Sequence, residues 1–235
     1  MDIRDEAMQL RNEKHQMIKT GLNVKMENSH DLAVVYTPGV AAPCLAIKEE
    51  EDKSLELTWR GNVVAVISDG TRVLGLGDIG PAAAMPVMEG KSALYKRFGN
   101  IDAIPIVLNT KDKDEIVRTI RILEKSFAGI NLEDFSSPKC YDIEDELKAT
   151  MNIPVFHDDQ HGTAIAALAA LLGALKVAEK KLEDVKIVVN GAGAAGTAIA
   201  RLILEAGANP KNMTVLNSKG ILYDNGKQSE SRPYL

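Results

Sequence analysis

The sequence predicts an α/β fold: a parallel sheet with helices on both faces, followed by the start of a second, smaller strand–helix unit. Short apolar stretches alternate with longer helical stretches from about residue 62 onward, the pattern of a parallel sheet buried between helices. A glycine-rich turn lies between an apolar strand and an alanine-rich helix at residues 186–208. Composition is that of an ordinary globular chain, with 235 residues, 45% hydrophobic and 26% charged, enough for one large domain or two modest ones.

The elements follow in order. Residues 3–19 carry Ile3, Ala7, Leu10, Met17 and Ile18 at loose helical spacing, and turn signals sit near 28–31. NVVAVIS (62–68), AIPIVL (103–108), GINL (129–132) and IPVF (153–156) read as strands, with helices over 82–98, 113–125 and 143–150. A long Ala- and Leu-rich helix is expected over 162–180. Then come strand 186–190, helix 194–206 and strand 214–216. A domain boundary is placed near 160, giving units 1–160 and 161–235. The last stretch, YDNGKQSESRPYL, is polar and turn-like, so the second unit is expected to be partial and the chain a piece of a longer protein.

The net charge of -5, with both signs interspersed, gives no basic stripe for nucleic acid. Cys44 and Cys140 lie far apart and outside any CxxC pattern, which fits a reducing compartment and buried apolar roles for both. The N-terminus has no apolar core of a signal peptide, and the apolar run around 164–175 is short for a bilayer span. A cytoplasmic protein without membrane attachment is expected.

Gly191-Ala192-Gly193-Ala194-Ala195-Gly196 satisfies GxGxxG directly after strand KIVVN and opens helix AAGTAIARLILEAGA. The first glycine permits the tight turn, the second lets backbone approach a pyrophosphate, and the third allows close helix–strand packing. This is the start of a Rossmann-type dinucleotide site. The next strand, TVL, is followed by Asn217, Ser218 and Lys219. No acid stands there to bind a ribose 2′-hydroxyl, which tilts the reading toward tolerance of NADP beside NAD.

Glu133-Asp134 and Asp158-Asp159 each follow a strand, where an open parallel sheet places its ligands. Carboxylates converging there repel one another unless a divalent cation neutralises them, and oxygen ligands suit Mg²⁺ or Mn²⁺. His157 and His161 have the spacing of helical zinc ligands, but His157 falls at a strand end and no third such ligand is near; His15 and His30 read as surface residues. Arg72, in the glycine-rich SDGTRVLGLGDIG, offers a planar fork to a carboxylate. Lys91, in MEGKSALYKRFG, has mostly apolar helical neighbours that would lower its pKa by desolvation. Tyr36 precedes a Pro-Gly turn in VVYTPGVA.

Together VVYTPGVA, SDGTRVLGLGDIG, MEGKSALYKRFG, INLEDF, FHDDQHGTA and VVNGAGAAG, in this order from residue 34 to 196, resemble the malic enzymes, above all the compact bacterial and archaeal form. The resemblance implies metal-dependent oxidative decarboxylation of malate to pyruvate with NAD or NADP. It implies that Glu133, Asp134 and Asp159 hold the metal, with Asp158 supporting the lysine and the metal shell. Arg72 would grip a malate carboxylate, Lys91 would take the C2 hydroxyl proton, and Tyr36 would protonate the enolate carbon. A homodimer is implied as well, in keeping with the amphipathic N-terminal segment. Family members continue beyond this point with further cofactor-domain strands and substrate-contacting asparagines. The alternatives are a malolactic enzyme, a fusion to a C-terminal acyltransferase domain, a non-catalytic metal-binding fragment, or a metal-dependent phosphohydrolase, which the glycine loop disfavours.

Overall fold

A computed structural model describes residues 2–222; the polar stretch 223–235 lies outside the described residues. The first sheet contains β1 (Val63–Ser68), β2 (Asp102–Val107), β3 (Gly129–Leu132) and β4 (Val155–His157), in the order β2-β1-β3-β4 and parallel throughout. β1 is central and buried on both faces, as a strand sandwiched between helices must be. Alternation splits its side chains: Val63, Ala65 and Ile67 join a core with Ile116, Ile120, Ile143 and Leu147, whereas Val66 points to Met88 on the other face.

The covering helices are α5 (Pro81–Gly99), α6 (Lys113–Ile122) and α7 (Lys139–Thr150). α5 packs on β1 and β2, and α6 and α7 share the opposite layer. Their ends are legible in chemistry. Pro81 occupies the first turn of α5 and Asn100, in the left-handed region, closes it. The Asp112 side chain accepts from Glu115 N to cap α6.

The N-terminal region departs from the sequence expectation. α1 runs Ile3–Lys14, shorter than 3–19. The signals near 28–31 mark a helix start instead of a turn: Asn28 accepts from Asp31 N and caps α2 (Ser29–Val35). α3 (Ala41–Glu49) and the four-residue α4 (Ser54–Leu57) follow. Apolar periodicity over such short pieces is too weak to show in sequence. α1, α2 and α3 bury none of their own residues. Cys44, expected inside, is exposed on α3, while Cys140 is buried.

α8 (Asp158–Val177) begins four residues before its expected start. Asp158 and Asp159 therefore form its first turn, where carboxylates meet the positive end of the helix dipole, and His157 is the residue that precedes it. The expected apolar run was short, but the 20-residue helix is long and apolar enough to cross a membrane by length and composition. It packs along α9 (Ala194–Glu205) and against β4, yet buries only Gln160, Ala164 and Leu175 of its own residues. The second sheet has β5 (Ile187–Asn190) and β6 (Met213–Asn217) in parallel, then β7 (Gly220–Ile221) antiparallel to β6. The short return strand β7 was not anticipated.

Candidate active site

A cavity of about 1010 Å³ opens over the strand ends of the first sheet and extends to the glycine loop of the second; Arg72, Glu133, Asp134, Asp159 and residues 191–196 line it. Glu133 and Asp134 leave the end of β3, and Asp159 stands on the first turn of α8. One oxygen from each lies within 4.8 Å of the others. Asp134 holds a positive φ of 58°, a backbone state that aspartate tolerates better than most side chains, and its amide donates to Asp159 Oδ2 at 2.8 Å.

The cluster is electrostatically loaded. Burial pushes the Glu133 carboxyl up to about 7, partly offset by Lys91. Burial, then the neighbouring Asp159 charge, pushes Asp134 up to about 6. Asp134 Oδ2 is buried without a donor, and an orphaned carboxylate oxygen in an all-oxygen group suits a hard divalent cation such as Mg²⁺ or Mn²⁺. The residues present fit that metal.

Lys91, near the middle of α5, donates to Asp158 Oδ2 at 2.5 Å and lies 3.2 Å from Glu133 Oε1. Here the structure corrects the sequence reading. Burial does act to lower the Lys91 pKa, but the hydrogen bond to Asp158 and the charges of Glu133 and Asp158 together outweigh it and hold the ammonium above its ordinary range. Gly162, one turn beyond Asp158, makes this pair possible: a Cβ there would stand 2.2 Å from Asp158 Oδ1.

Several supporting residues escaped sequence reading. Tyr95, one turn after Lys91, donates to Asn131 Oδ1 at 2.8 Å, and Asn131 donates to Glu133 Oε2 at 2.9 Å. Helical spacing from Lys91 would have found Tyr95. On the Arg72 side, the buried Asp69 accepts from Thr71 N and Thr71 Oγ1 and pairs with Lys139. Thr71 Oγ1 accepts from Ser136 N, and Arg72 N donates to Asp134 O at 3.0 Å. The Arg72 loop is thus tied to the loop that carries the carboxylates, while the Arg72 side chain stays exposed at the cavity.

In the glycine loop Gly191 sits at φ 125°, and a Cβ on Gly196 would meet Gly191 O at 1.7 Å, so the third glycine is a packing requirement. Gly193 precedes α9 with open space where its Cβ would be. Asn217 ends β6, with its side-chain oxygen accepting from Lys219 N at 2.7 Å, and Ser218 is exposed in the turn. Lys91 and Asp158 are not among the residues that line the cavity; Lys91 adjoins it through its ion-pair partner Glu133, which does line it. Tyr36 is not among the residues that line the cavity: it follows α2 and is 66% exposed.

The fold and site define a class: a parallel-sheet α/β domain bearing a buried carboxylate cluster, joined to a glycine-loop nucleotide domain. Residues 12–114 match the family model of the malic enzyme N-terminal domain, and residues 160–228 match that of the malic enzyme NAD binding domain. The chain belongs to the malic enzyme family. It is 49% identical to a bifunctional malic/malolactic enzyme of Bacillus subtilis over 95% of its own length and 54% of that protein's. It is 52% identical to an NAD-dependent malic enzyme of Geobacillus stearothermophilus, covering 88% of this chain and 43% of the relative. An NADP-dependent malic enzyme of Escherichia coli is 51% identical over 84% of this chain and 26% of its own. A crystal structure of the Thermotoga maritima NAD-dependent malic enzyme superimposes with a TM-score of 0.90 at 47% identity, over 97% of this chain and 60% of that one. The chain therefore spans between about a quarter and three fifths of the length of these relatives.

Proposed function

We propose that this protein carries out the oxidative decarboxylation of malate to pyruvate and CO₂, with NAD or NADP as hydride acceptor and Mg²⁺ or Mn²⁺ as metal. One observation carries the proposal: Lys91 is bonded to Asp158 and Glu133 beside a three-carboxylate cluster, at one end of a cavity that continues to the glycine loop.

Glu133, Asp134 and Asp159 would hold the cation. When bound, the cation supplies Lewis-acid stabilisation of negative charge on the substrate, and the nicotinamide supplies the hydride acceptor. Arg72 binds a malate carboxylate and fixes its approach. Lys91 works as the neutral amine, so a proton must first leave Nζ, and Asp158 at 2.5 Å is the adjacent acceptor. Nζ then takes the C2 hydroxyl proton. After CO₂ departs, Tyr36 protonates the enolate carbon. Tyr36 belongs to an N-terminal arm that buries none of its own residues in α1–α3 and exposes Ile3, Met8, Leu22, Val34 and Leu45. Such an arm calls for an apolar partner, which supports a homodimer in which it is seated. Gly191, Gly193, Ala194, Ala195 and Gly196 would receive the pyrophosphate, and Asn217 and Ser218 the adenosine ribose; the lack of an acid there supports use of NADP as well as NAD. The proposed location is the cytoplasm.

The test is malate-dependent reduction of NAD⁺ and NADP⁺ with Mn²⁺ present and chelator as control, with product analysis. Lys91→Ala should abolish turnover while Mn²⁺ still binds; near-normal turnover would remove the lysine from its role. Release of lactate in place of pyruvate would identify the malolactic reaction, the second of the two activities in the name of the Bacillus subtilis relative.

A further inference from the structure

His157 ends β4 and is fully buried. Its surroundings fix which ring nitrogen carries the proton. Glu144, 3% exposed, accepts at Oε1 from His157 N at 3.1 Å, from Lys148 at 2.7 Å and from His161 at 2.8 Å. Burial alone would raise the Glu144 pKa, but the hydrogen bonds from His161 and Lys148 bring it below its ordinary value, so Glu144 is an anion and accepts only. Gln160 Nε2 donates to Glu144 Oε2 at 2.9 Å and lies 2.8 Å from His157 Nδ1. A carboxylate on one side makes that Gln160 group the amide nitrogen, so its second hydrogen faces Nδ1 and Nδ1 accepts. The ring proton is therefore on Nε2.

Nε2 has no aligned acceptor, and the oxygen beside it is Asp159 Oδ2 at 3.1 Å. That oxygen already accepts from Asp134 N. The two buried side-chain atoms without a partner among the described residues, His157 Nε2 and Asp134 Oδ2, thus lie on the two neighbours of Asp159. A buried N–H costs free energy until it is met, and a small turn of the Asp159 carboxylate meets it.

We infer that His157 is a positioning residue for the metal site: with its tautomer set by Gln160 and Glu144, it holds Asp159 Oδ2 from behind and leaves Oδ1 for the cation. The inference rests on the proposed metal site and deepens it. Neutral imidazole N–H groups that orient a ligating carboxylate act on metal affinity more than on the fold.

The experiment is direct Mn²⁺ binding to the full protein, followed by loss of the free-ion electron paramagnetic resonance signal, with thermal midpoints measured in parallel. His157→Leu keeps the volume and removes the donor; it should weaken Mn²⁺ binding on the order of 10- to 100-fold. His157→Gln, which retains an amide donor, should recover most of that loss. A packing role alone would lower the midpoint of both variants and leave the affinity of the folded protein at its wild-type value, which overturns the inference. Failure of the wild-type protein to bind Mn²⁺ overturns the metal site and this inference with it. Should His157→Leu not fold, the ¹⁵N correlation spectrum of the wild-type imidazole decides: a proton on Nε2 supports the inference, and a proton on Nδ1 overturns it.

Discussion

Gly162→Ala separates stability from function at a site where the structure gives both magnitudes. The glycine is in the second turn of a 20-residue helix, where alanine gains roughly 0.5–1 kcal/mol of helix stability. Against this, the new Cβ would sit 2.2 Å from Asp158 Oδ1. The atom it meets is the end of a side chain, so the conflict is relieved by moving the carboxylate outward by about 1.2 Å or more to ordinary contact distance. A movement of that size can open the 2.5 Å bond from Lys91 to Asp158 past the limit of a hydrogen bond. Loss of that partly buried pair costs on the order of 1 kcal/mol, so the two effects on stability nearly cancel.

The functional effect does not cancel. A displacement of about 1 Å in a supporting group can cost on the order of 100-fold in rate. Thermal midpoint and malate-dependent cofactor reduction should be measured together, with Gly173→Ala as the control, since no atom lies within 4 Å of a Cβ built at Gly173. Gly162→Ala should melt within about 3 °C of wild type and lose roughly 10- to 100-fold in turnover. Gly173→Ala should gain about 1–4 °C and keep its activity. Wild-type turnover in Gly162→Ala would refute the claim that the Asp158 position governs Lys91.

Two further outcomes are expected. In the glycine loop, Gly196→Ala should destabilise by about 1–3 kcal/mol, because its Cβ would overlap Gly191 O, whereas Gly193→Ala should leave the melting point in place and weaken dinucleotide binding measured by calorimetry. Equal loss of stability in both would dissolve the distinction between a packing glycine and a cofactor-facing one. Metal binding should be proton-linked: with Glu133 at about 7 and Asp134 at about 6, Mn²⁺ affinity should rise with pH up to about 7 and level off above it. The sign for metal-free stability is opposite. Both groups bind protons more tightly folded than at their ordinary values of 4.5 and 3.8, so their contribution is present below those values and is lost as pH rises to about 7; urea midpoints with and without Mn²⁺ at pH 5 and pH 8 check both statements.

The parallel sheet was legible because β1 is an almost unbroken apolar run that burial on two faces explains and further short strands alternate with helices after it, and the residues after β3 and β4 were legible because open parallel sheets place ligands at strand ends. The glycine loop gave its own geometry, down to the packing demand at Gly196. What could not be read belongs to contacts between distant residues. From its neighbours Lys91 looked like a lysine made labile by apolar surroundings; its proton is instead held by Asp158, 67 positions away, a support that only the family resemblance had implied. The Glu144–Gln160–His157 chain joins α7, α8 and β4, and no spacing in sequence marks it. Asn28 illustrates a local ambiguity: an asparagine that breaks one segment and one that caps the next look alike until the following turn is seen.

The charges of the site explain why its parts must act together. Four carboxylates, Glu133, Asp134, Asp158 and Asp159, share the site with the ammonium of Lys91, which pairs with Glu133 and Asp158. Without a cation, the protein contains this excess of negative charge in two ways: Glu133 and Asp134 keep protons to unusually high pH, and Lys91 keeps its own more firmly than a free lysine. Both devices work against a lysine that must accept a proton. A divalent cation held among the three carboxylates, as proposed, would replace the protons on Glu133 and Asp134 and weaken the share of the potential at Nζ that Glu133 supplies, leaving the bond to Asp158. On the proposed mechanism, occupation of the metal site and readiness of the lysine would therefore be electrostatically linked, with Lys91 giving up its proton more readily once the cation is in place.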